Sequence, residues 1–209
     1  MPDPITPTRL YLVRHGQVVP EGQGRFLGFI DLDLSPQGRE QVSVLAEYLK
    51  TITLDGAYAS DLRRAMDTAR AICAGRGIKP VSCQAFREMD MGEWDGKSWE
   101  EIQRDNPQTN PRMFTDLKTF HFPGGEAWPQ FRDRVLKELK TLVHENQGRN
   151  ILLAAHAGVN RVILAQALGL PFKNMFSIDQ GYGCLNIIEY YGTTSKVVLM
   201  NGIFYRPRI

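Results

Sequence analysis

The chain has 209 residues, of which 43% are hydrophobic and 23% are charged, and its formal net charge at pH 7 is +2. This length and composition predict a single globular domain over residues 1–209 with a full-sized core. The small net charge produces no overall field for binding nucleic acid or an anionic membrane surface, so neither is expected as a partner. The sequence also lacks an apolar run of the roughly 18 residues that a membrane span needs.

The N-terminal residues and the cysteines predict a cytoplasmic protein. Residues 1–8 contain no basic stretch followed by an apolar stretch, so no signal peptide is expected, and their prolines predict a loose leader. Cys73, Cys83 and Cys184 are odd in number and scattered along the chain. Such cysteines predict neither a disulfide framework nor a metal knuckle.

Strand-like and helix-like stretches alternate along the chain. The apolar run Arg9–Val13 predicts a first strand, and Ser35 before Pro36 predicts the start of a helix that reaches about Lys50. Further elements are predicted in the order strand (55–60), helix (61–72), strand (80–83), short helix (from 98), helix (124 to about 147), strand (150–155) and helix (to about 168).

The C-terminal part of the sequence predicts a hairpin. Leu185–Tyr191 and Lys196–Met200 are strand-like and flank a Gly-Thr-Thr turn, so they would pair as an antiparallel edge hairpin. With the alternation before it, this predicts an α/β fold: a three-layer α/β/α sandwich with a mostly parallel central sheet and an antiparallel edge strand. The edge hairpin could pair with a second chain to form a homodimer, or it could stay exposed.

Residues 107–128 predict an irregular excursion, which could be a lid over a pocket or a plain packed segment. Aromatic residues are frequent in and around it. They could form an apolar wall over the leaving group of a substrate, or they could belong to the core. These residues are Trp94, Trp99, Phe114, Phe120, Phe122 and Trp128.

Two predicted strands end in histidine, one in Arg14-His15-Gly16 and one in His156-Ala157-Gly158. Because the carboxyl ends of parallel strands lie at one edge of a sheet, we expect the two histidines to face each other across one crevice.

Other groups would join these histidines. Arg14 and Arg64 would converge on the crevice, and the N–H groups of Ala157 and Gly158 would point into it from a helix N-terminus. Gly16 would let a ligand approach the backbone closely. Such a pocket would bind a dianion, and phosphate is the obvious one.

A zinc site is the competing use of His15 and His156. The sequence has no HxH, HExxH or CxxC companion motif for it, and two nearby arginines would repel a cation. No metal or other cofactor is therefore expected. His121 and His144 follow no predicted strand, so neither is assigned a role.

Five motifs in order resemble those of the histidine phosphatase superfamily, the phosphoglycerate mutase-like family, over about residues 9–200. They are Val13–Gly16, Ser60–Ala69, Arg87–Gly96, Pro123–Glu126 and His156–Val159. The resemblance implies a phosphoglycerate mutase-like fold. Within the family, the motifs at 92–96 and 123–126 are most similar to those of the α-ribazole phosphatase branch.

The resemblance implies a role for each matching residue. His15 would be the nucleophile that accepts the phosphoryl group and forms a phosphohistidine. Arg14, Arg64 and His156 would hold the phosphate oxygens and stabilise the charge of the transferring group. Glu88 would first be the general acid that protonates the leaving group and then the base that activates water.

The sequence departs from the family pattern in several places. Val18, Val19 and Pro20 occupy the stretch where tryptophan or another bulky residue is common. Gln17 stands where glutamate is common, and it could still donate to a phosphate. Glu21 stands where asparagine often helps to bind phosphate, and a carboxylate there would repel the ligand. Ala127 replaces a serine that commonly caps a helix.

The family contains both mutases and phosphatases. Its cofactor-dependent mutases carry a longer cation-rich segment after the glutamate motif, whereas the interval from Glu88 to Gly125 is short and has four cations, Lys97, Arg104, Arg112 and Lys118. This favours a phosphatase that acts on a small phosphomonoester and releases inorganic phosphate. The alternatives are a cofactor-dependent phosphoglycerate mutase and a non-catalytic protein that binds a phosphorylated ligand, although the five core positions of an enzyme are present.

Overall fold

The computed structural model describes residues 6–109, 117 and 119–205. The strands are β1 (Thr8–Arg14), β2 (Gly56–Ala59), β3 (Val81–Ser82), β4 (Asn150–Ala155), β5 (Leu185–Tyr191) and β6 (Thr194–Gly202). The α-helices are α1 (Pro36–Leu49), α2 (Arg63–Cys73), α3 (Trp99–Asp105), α4 (Trp128–Glu145) and α5 (Ala157–Ala167). In this part of the chain, no helix is long and apolar enough to cross a membrane.

The strands form one six-stranded sheet in the order β3-β2-β4-β1-β5-β6. The first four of these strands pair in parallel, whereas β5 runs antiparallel to β1 and β6 runs antiparallel to β5. This mostly parallel sheet with an antiparallel edge confirms the predicted fold class.

The central strand β1 is buried on both faces of the sheet. Leu10 and Leu12 pack into the cluster that includes residues of α4 and α5, while Tyr11 and Val13 pack into the cluster that includes residues of α1 and α2. Successive side chains of a strand point to opposite faces, so an unbroken apolar run fills two cores. This burial gives the fold its three layers.

The structure moves several predicted boundaries, among them the starts of β1 and α2. Thr8, assigned to the loose leader by the sequence, is the first residue of β1, where it is buried and its hydroxyl donates to Asn146 O at 3.0 Å. Residues 1–5 of that leader lie outside the described residues. Helix α2 begins at Arg63 rather than Asp61, because Leu62 at its N-cap still has extended backbone angles.

Several aromatic residues in the described part of the excursion belong to the core. Phe120, Phe122 and Trp128 are buried in one cluster with Trp94, and the ring centroids of Trp94 and Phe120 lie 5.6 Å apart. These aromatic residues are therefore packing residues. Residues 110–116 and 118, which include Phe114, lie outside the described residues, so a lid over 107–128 stays a prediction.

Candidate active site

His15 and His156 lie side by side at the carboxyl edge of the sheet. The parallel pairing of β1 and β4 puts Arg14 opposite Ala155. His15 and His156, the next residues along the two strands, therefore lie beside each other. His15 N donates to Ala155 O at 3.0 Å, and the two imidazole centroids are 5.2 Å apart at an interplanar angle of 62°. The structure thus brings together the two histidines that the sequence singled out.

His15 is buried and its ring is held in one tautomer. Nδ1 lies 2.8 Å from Gly16 O, and since a carbonyl can only accept, Nδ1 carries the proton and Nε2 keeps its lone pair. Burial, followed by the charges of Arg64 and Arg14, lowers the pKa of His15 well below its usual value of 6.5. The ring is therefore neutral at neutral pH, with an unprotonated nitrogen.

His156 is fully buried and precedes helix α5 as its N-cap residue. Burial, followed by the charges of Arg64, His15 and Arg14, lowers its pKa well below 6.5. Among the described residues, neither of its ring nitrogens has a hydrogen-bond partner. A neutral imidazole without partners can offer one donor and one acceptor to a ligand.

Arg14 is anchored to the loop before β5. Its Nη1 donates to Gln180 O at 2.5 Å, and its guanidinium carbon lies 3.8 Å from the centroid of the Tyr182 ring. The same tyrosine ring lies 5.7 Å from the His15 ring. These contacts hold the guanidinium next to the nucleophile candidate, and its buried Nε has no partner in the described ranges.

Arg64 is completely buried one residue into α2. Its Nη1 donates to Ile30 O at 2.6 Å and its Nη2 donates to Gly28 O at 2.8 Å, whereas its buried Nε has no partner in the described part of the chain. It is the strongest charge acting on both active-site histidines. Arg64 therefore joins the glycine-containing loop after β1 to the histidine pair.

Glu88 lies over the N-terminus of α5. Its Oε2 accepts from Gly158 N at 2.9 Å and its Oε1 accepts from Met89 N at 3.0 Å. A carboxylate is favoured there by the unpaired N–H groups and the dipole of a helix N-terminus. Gly158 N–H, which was expected to point into the crevice, donates to Glu88 of the site, so its contact with a phosphate stays a prediction. Ala157 is the first residue of α5, and its phosphate contact stays a prediction.

Gly16 lets β1 and helix α1 pack closely, and the predicted close approach of a ligand to its backbone stays a prediction. A Cβ atom at this position would lie 2.4 Å from Gly38 O in α1. Gln17 is also bonded toward α1: its N donates to Gln41 Oε1 at 2.9 Å, and its Oε1 accepts from Ser35 Oγ at 3.4 Å. Its phosphate contact stays a prediction, and the side chain of Glu21 lies outside what the structure describes.

The sequence did not single out the loop between α5 and β5. This loop contributes Tyr182 and the carbonyls that anchor two arginines, since Arg161 Nε donates to Ile178 O at 2.8 Å. The sequence feature that could have pointed to this loop was Asn186, a polar residue in an otherwise apolar strand. Its side chain exchanges two hydrogen bonds of 2.9 Å with Gln180, which holds the loop against β5.

Within residues 6–109, 117 and 119–205, no group of three or more histidine, cysteine or acidic side chains is placed to hold a metal ion. The ligands that the site can bind follow from its two buried arginine Nε atoms and two imidazoles. Guanidinium groups bind the oxygens of an oxyanion such as phosphate.

The family model of the histidine phosphatase superfamily (branch 1) matches residues 10–202. The chain belongs to this superfamily. The resemblance seen in the sequence is thereby confirmed, and the protein is a histidine phosphatase by family, similar to the enzymes of the α-ribazole phosphatase branch.

Relatives named as phosphatases cover most of the chain. The metal-independent phosphoserine phosphatase of Arabidopsis thaliana is 31% identical over 75% of this chain and 67% of its own. The adenosylcobalamin/α-ribazole phosphatase of Salmonella typhimurium is 27% identical over 95% of this chain and 99% of its own. A solved complex of mycobacterial glucosyl-3-phosphoglycerate phosphatase with inorganic phosphate is 26% identical, covers 94% of this chain and 98% of its own, and has a TM-score of 0.80.

Proposed function

We propose that the protein is a metal-independent phosphomonoesterase that hydrolyses a small phosphorylated metabolite through a phosphohistidine on His15. One observation carries the proposal. Four buried nitrogens beside His15 have no hydrogen-bond partner among the described residues: Nε of Arg14, Nε of Arg64 and both ring nitrogens of His156. Phosphate oxygens are the acceptors that would satisfy the N–H groups of the two arginine Nε atoms and the one N–H of the neutral His156 ring.

In the first step, Nε2 of His15 attacks the phosphorus atom. The N–P bond forms as the ester P–O bond breaks, and Gly16 O holds the proton on Nδ1 throughout. Arg14, Arg64 and His156 contact the oxygens of the transferring group, where charge spreads in the transition state. A neutral His15 is ready for this attack because its pKa is lowered.

Glu88 serves both steps of the reaction. Its carboxyl group gives a proton to the leaving alkoxide, which departs as an alcohol. The resulting carboxylate then takes a proton from a water molecule, which attacks the phosphohistidine and releases inorganic phosphate and free His15. Glu88 is held at this position by Gly158 N–H of helix α5.

The test measures phosphate release from a panel of phosphomonoesters with chelator present. Wild type should release phosphate and His15→Ala should not, while His144→Ala, which changes an exposed histidine, should behave as wild type. Conversion of 3- to 2-phosphoglycerate with little free phosphate would instead show the mutase. Binding of phosphate without any turnover would show the non-catalytic alternative.

Arg161 supports a leaving group that carries an acidic substituent. Arg161 is half-buried near the other charged groups of the site. Burial is the largest effect on its pKa and lowers it, the charge of Glu88 raises this pKa, and the charge of Arg14 lowers it. Since Glu88 protonates the leaving oxygen, a cation close to Glu88 lies on the leaving-group side. Phosphoserine and glucosyl-3-phosphoglycerate, named for two relatives, carry a carboxylate, whereas α-ribazole 5′-phosphate does not.

Arg161→Met tests this substrate class. The KM for phosphoserine or 3-phosphoglycerate should rise about tenfold, since an exposed or partly buried ionic contact contributes about 1–2 kcal/mol. The KM for an aryl phosphate without a carboxylate should stay within about twofold. An equal rise in KM for both kinds of substrate would remove Arg161 from substrate selection and leave α-ribazole 5′-phosphate the better candidate.

The cytoplasmic location and the homodimer stay predictions.

A further inference from the structure

An arginine that the proposed reaction does not use lies directly behind Glu88. Arg134 of α4 donates to three backbone carbonyls of the segment that leads into the general acid: Ala85 O at 2.8 Å, Arg87 O at 3.0 Å and Glu88 O at 3.2 Å. One guanidinium group therefore satisfies three carbonyl acceptors in the segment 85–88.

Glu126 completes the contact from the other side. Its two oxygens accept from Nε and Nη2 of Arg134 at 2.8 and 2.7 Å, in the bidentate geometry that gives strong and directional binding. Its Oε2 also accepts from Asp90 N at 2.9 Å. The ion pair thus binds the chain both before and after Glu88.

The Pro123–Glu126 motif packs its backbone against the same loop. Glu126 N donates to Asp90 O at 2.9 Å, and Glu93 N donates to Pro123 O at 2.8 Å. A Cβ atom on Gly125 would lie 2.4 Å from Asp90 O, so only glycine allows this approach. The Pro123–Glu126 motif, which had no role assigned from the sequence, therefore supports the loop that contains Glu88.

We propose that the ion pair of Glu126 and Arg134 is a positioning device that sets where the Glu88 carboxyl group meets the leaving oxygen. The inference rests on the proposed function, in which Glu88 is the general acid. Glu88 faces the N-terminus of α5 with its side chain, and its main chain is tied to α4 through Arg134. A catalytic acid displaced by about 1 Å can lose about a hundredfold in rate.

The test compares kcat/KM for two substrates that differ in their need for a proton. Phosphoserine has an alkoxide leaving group that must be protonated, whereas 2,4-dinitrophenyl phosphate releases a stable phenolate that needs no acid. Glu88→Gln should lower kcat/KM for phosphoserine about a hundredfold or more and leave the dinitrophenyl ester within about threefold. Glu126→Gln should show the same selectivity with a loss of about tenfold.

Glu189→Gln is the matched control. It breaks the ion pair of Glu189 with Arg9 at the opposite end of β1, which is also partly buried. Both substrates should keep wild-type kcat/KM in this variant. If Glu126→Gln does not fold, Arg134→Lys replaces it, because lysine keeps the positive charge but cannot reach Glu126 and three carbonyls together.

Each result decides the proposal. A selective loss in Glu126→Gln or Arg134→Lys supports it. An equal loss for both substrates, or no loss, overturns the positioning role while the role of Glu88 stands. If Glu88→Gln itself shows no selectivity, the proposed general acid is wrong and the positioning role falls with it.

Discussion

The imidazole rings of His15 and His156 lie 5.2 Å apart because β1 and β4 are parallel neighbours in register, with Arg14 opposite Ala155. Both rings are buried, and burial together with the charges of Arg64 and Arg14 lowers both pKa values. The pair therefore exists as two neutral imidazoles in a positively charged pocket. This state has consequences for both activity and stability.

The activity should not decline through the ordinary titration range of histidine. Because the pKa of His15 lies well below 6.5, its Nε2 stays unprotonated as the pH falls through 6.5. We expect kcat/KM, corrected for protonation of the substrate, to be level from pH 7.5 to about 5.5. Arg64→Gln should move the acid limb to higher pH, since a cation that lowers the pKa of His15 is lost. An acid limb of wild type centred near 6.5 would contradict this.

Stability should fall as the pH falls below 6.5. In the unfolded chain, His15 and His156 bind protons near pH 6.5, whereas in the folded chain their lowered pKa values keep them neutral. The unfolded state then binds more protons, so each histidine lowers the free energy of unfolding by about 1 kcal/mol between pH 7.5 and 5.5. Denaturant titrations at both pH values measure this.

In the same titrations, the free energy of unfolding of His156→Gln should fall by about 1 kcal/mol less than that of wild type over this pH range. His144→Gln, which removes an exposed histidine, should follow wild type. Equal pH dependence in His156→Gln and wild type would show that His156 is not neutral in the folded state.

Gly16→Ala should destabilise the fold and impair the site. The new Cβ would lie 2.4 Å from Gly38 O and 2.9 Å from Val42 Cγ2, so β1 and α1 would have to separate. We expect a loss of about 2 kcal/mol in the free energy of unfolding, and a lower kcat because Gly16 O orients His15.

Gly56→Ala is the control for this substitution. Its Cβ would meet nothing closer than 3.5 Å, and the position has no positive φ. A neutral or slightly positive change of about 0.5 kcal/mol is expected from thermal or denaturant unfolding. Equal losses in both variants would contradict the packing role of Gly16.

Ala127→Ser should stabilise helix α4. Ala127 is the N-cap with φ −83° and ψ 152°, the extended geometry of a capping serine, and its N–H already donates to Gln130 Oε1 at 2.8 Å. The new hydroxyl would accept from Gln130 N and complete a capping box. We expect a gain of about 1 kcal/mol, seen as a rise in Tm of about 3 °C by calorimetry.

The opposite change in α3 provides the comparison. Ser98 caps that helix and its Oγ accepts from Glu101 N at 3.3 Å, so Ser98→Ala should lose about what Ala127→Ser gains. Neither variant should alter kcat/KM. An unchanged Tm in Ala127→Ser would show that the existing bond of Gln130 already suffices.

Residues close in sequence account for what could be predicted of the fold. The apolar run before Arg14 and the one before His156 are strands, as predicted, and their parallel pairing follows from the helices between them. The boundaries of the elements were less well predicted. Thr8 belongs to β1, where its hydroxyl donates to the carbonyl of Asn146, a residue far along the chain. The aromatic residues allowed two interpretations, and the packing of Phe120, Phe122 and Trp128 around Trp94 placed these four in the core.

The sequence by itself determined which strand ends carry histidines and arginines, and the family to which the chain belongs, because strand periodicity and motif order are local properties. Only the tertiary structure decided the partners of these groups. Glu88 reaches Gly158 across 70 positions, and Tyr182 reaches Arg14 from a loop without a motif, which also binds Arg161 of α5. Such contacts depend on how elements pack, and no local pattern specifies which distant backbone atom a side chain will meet.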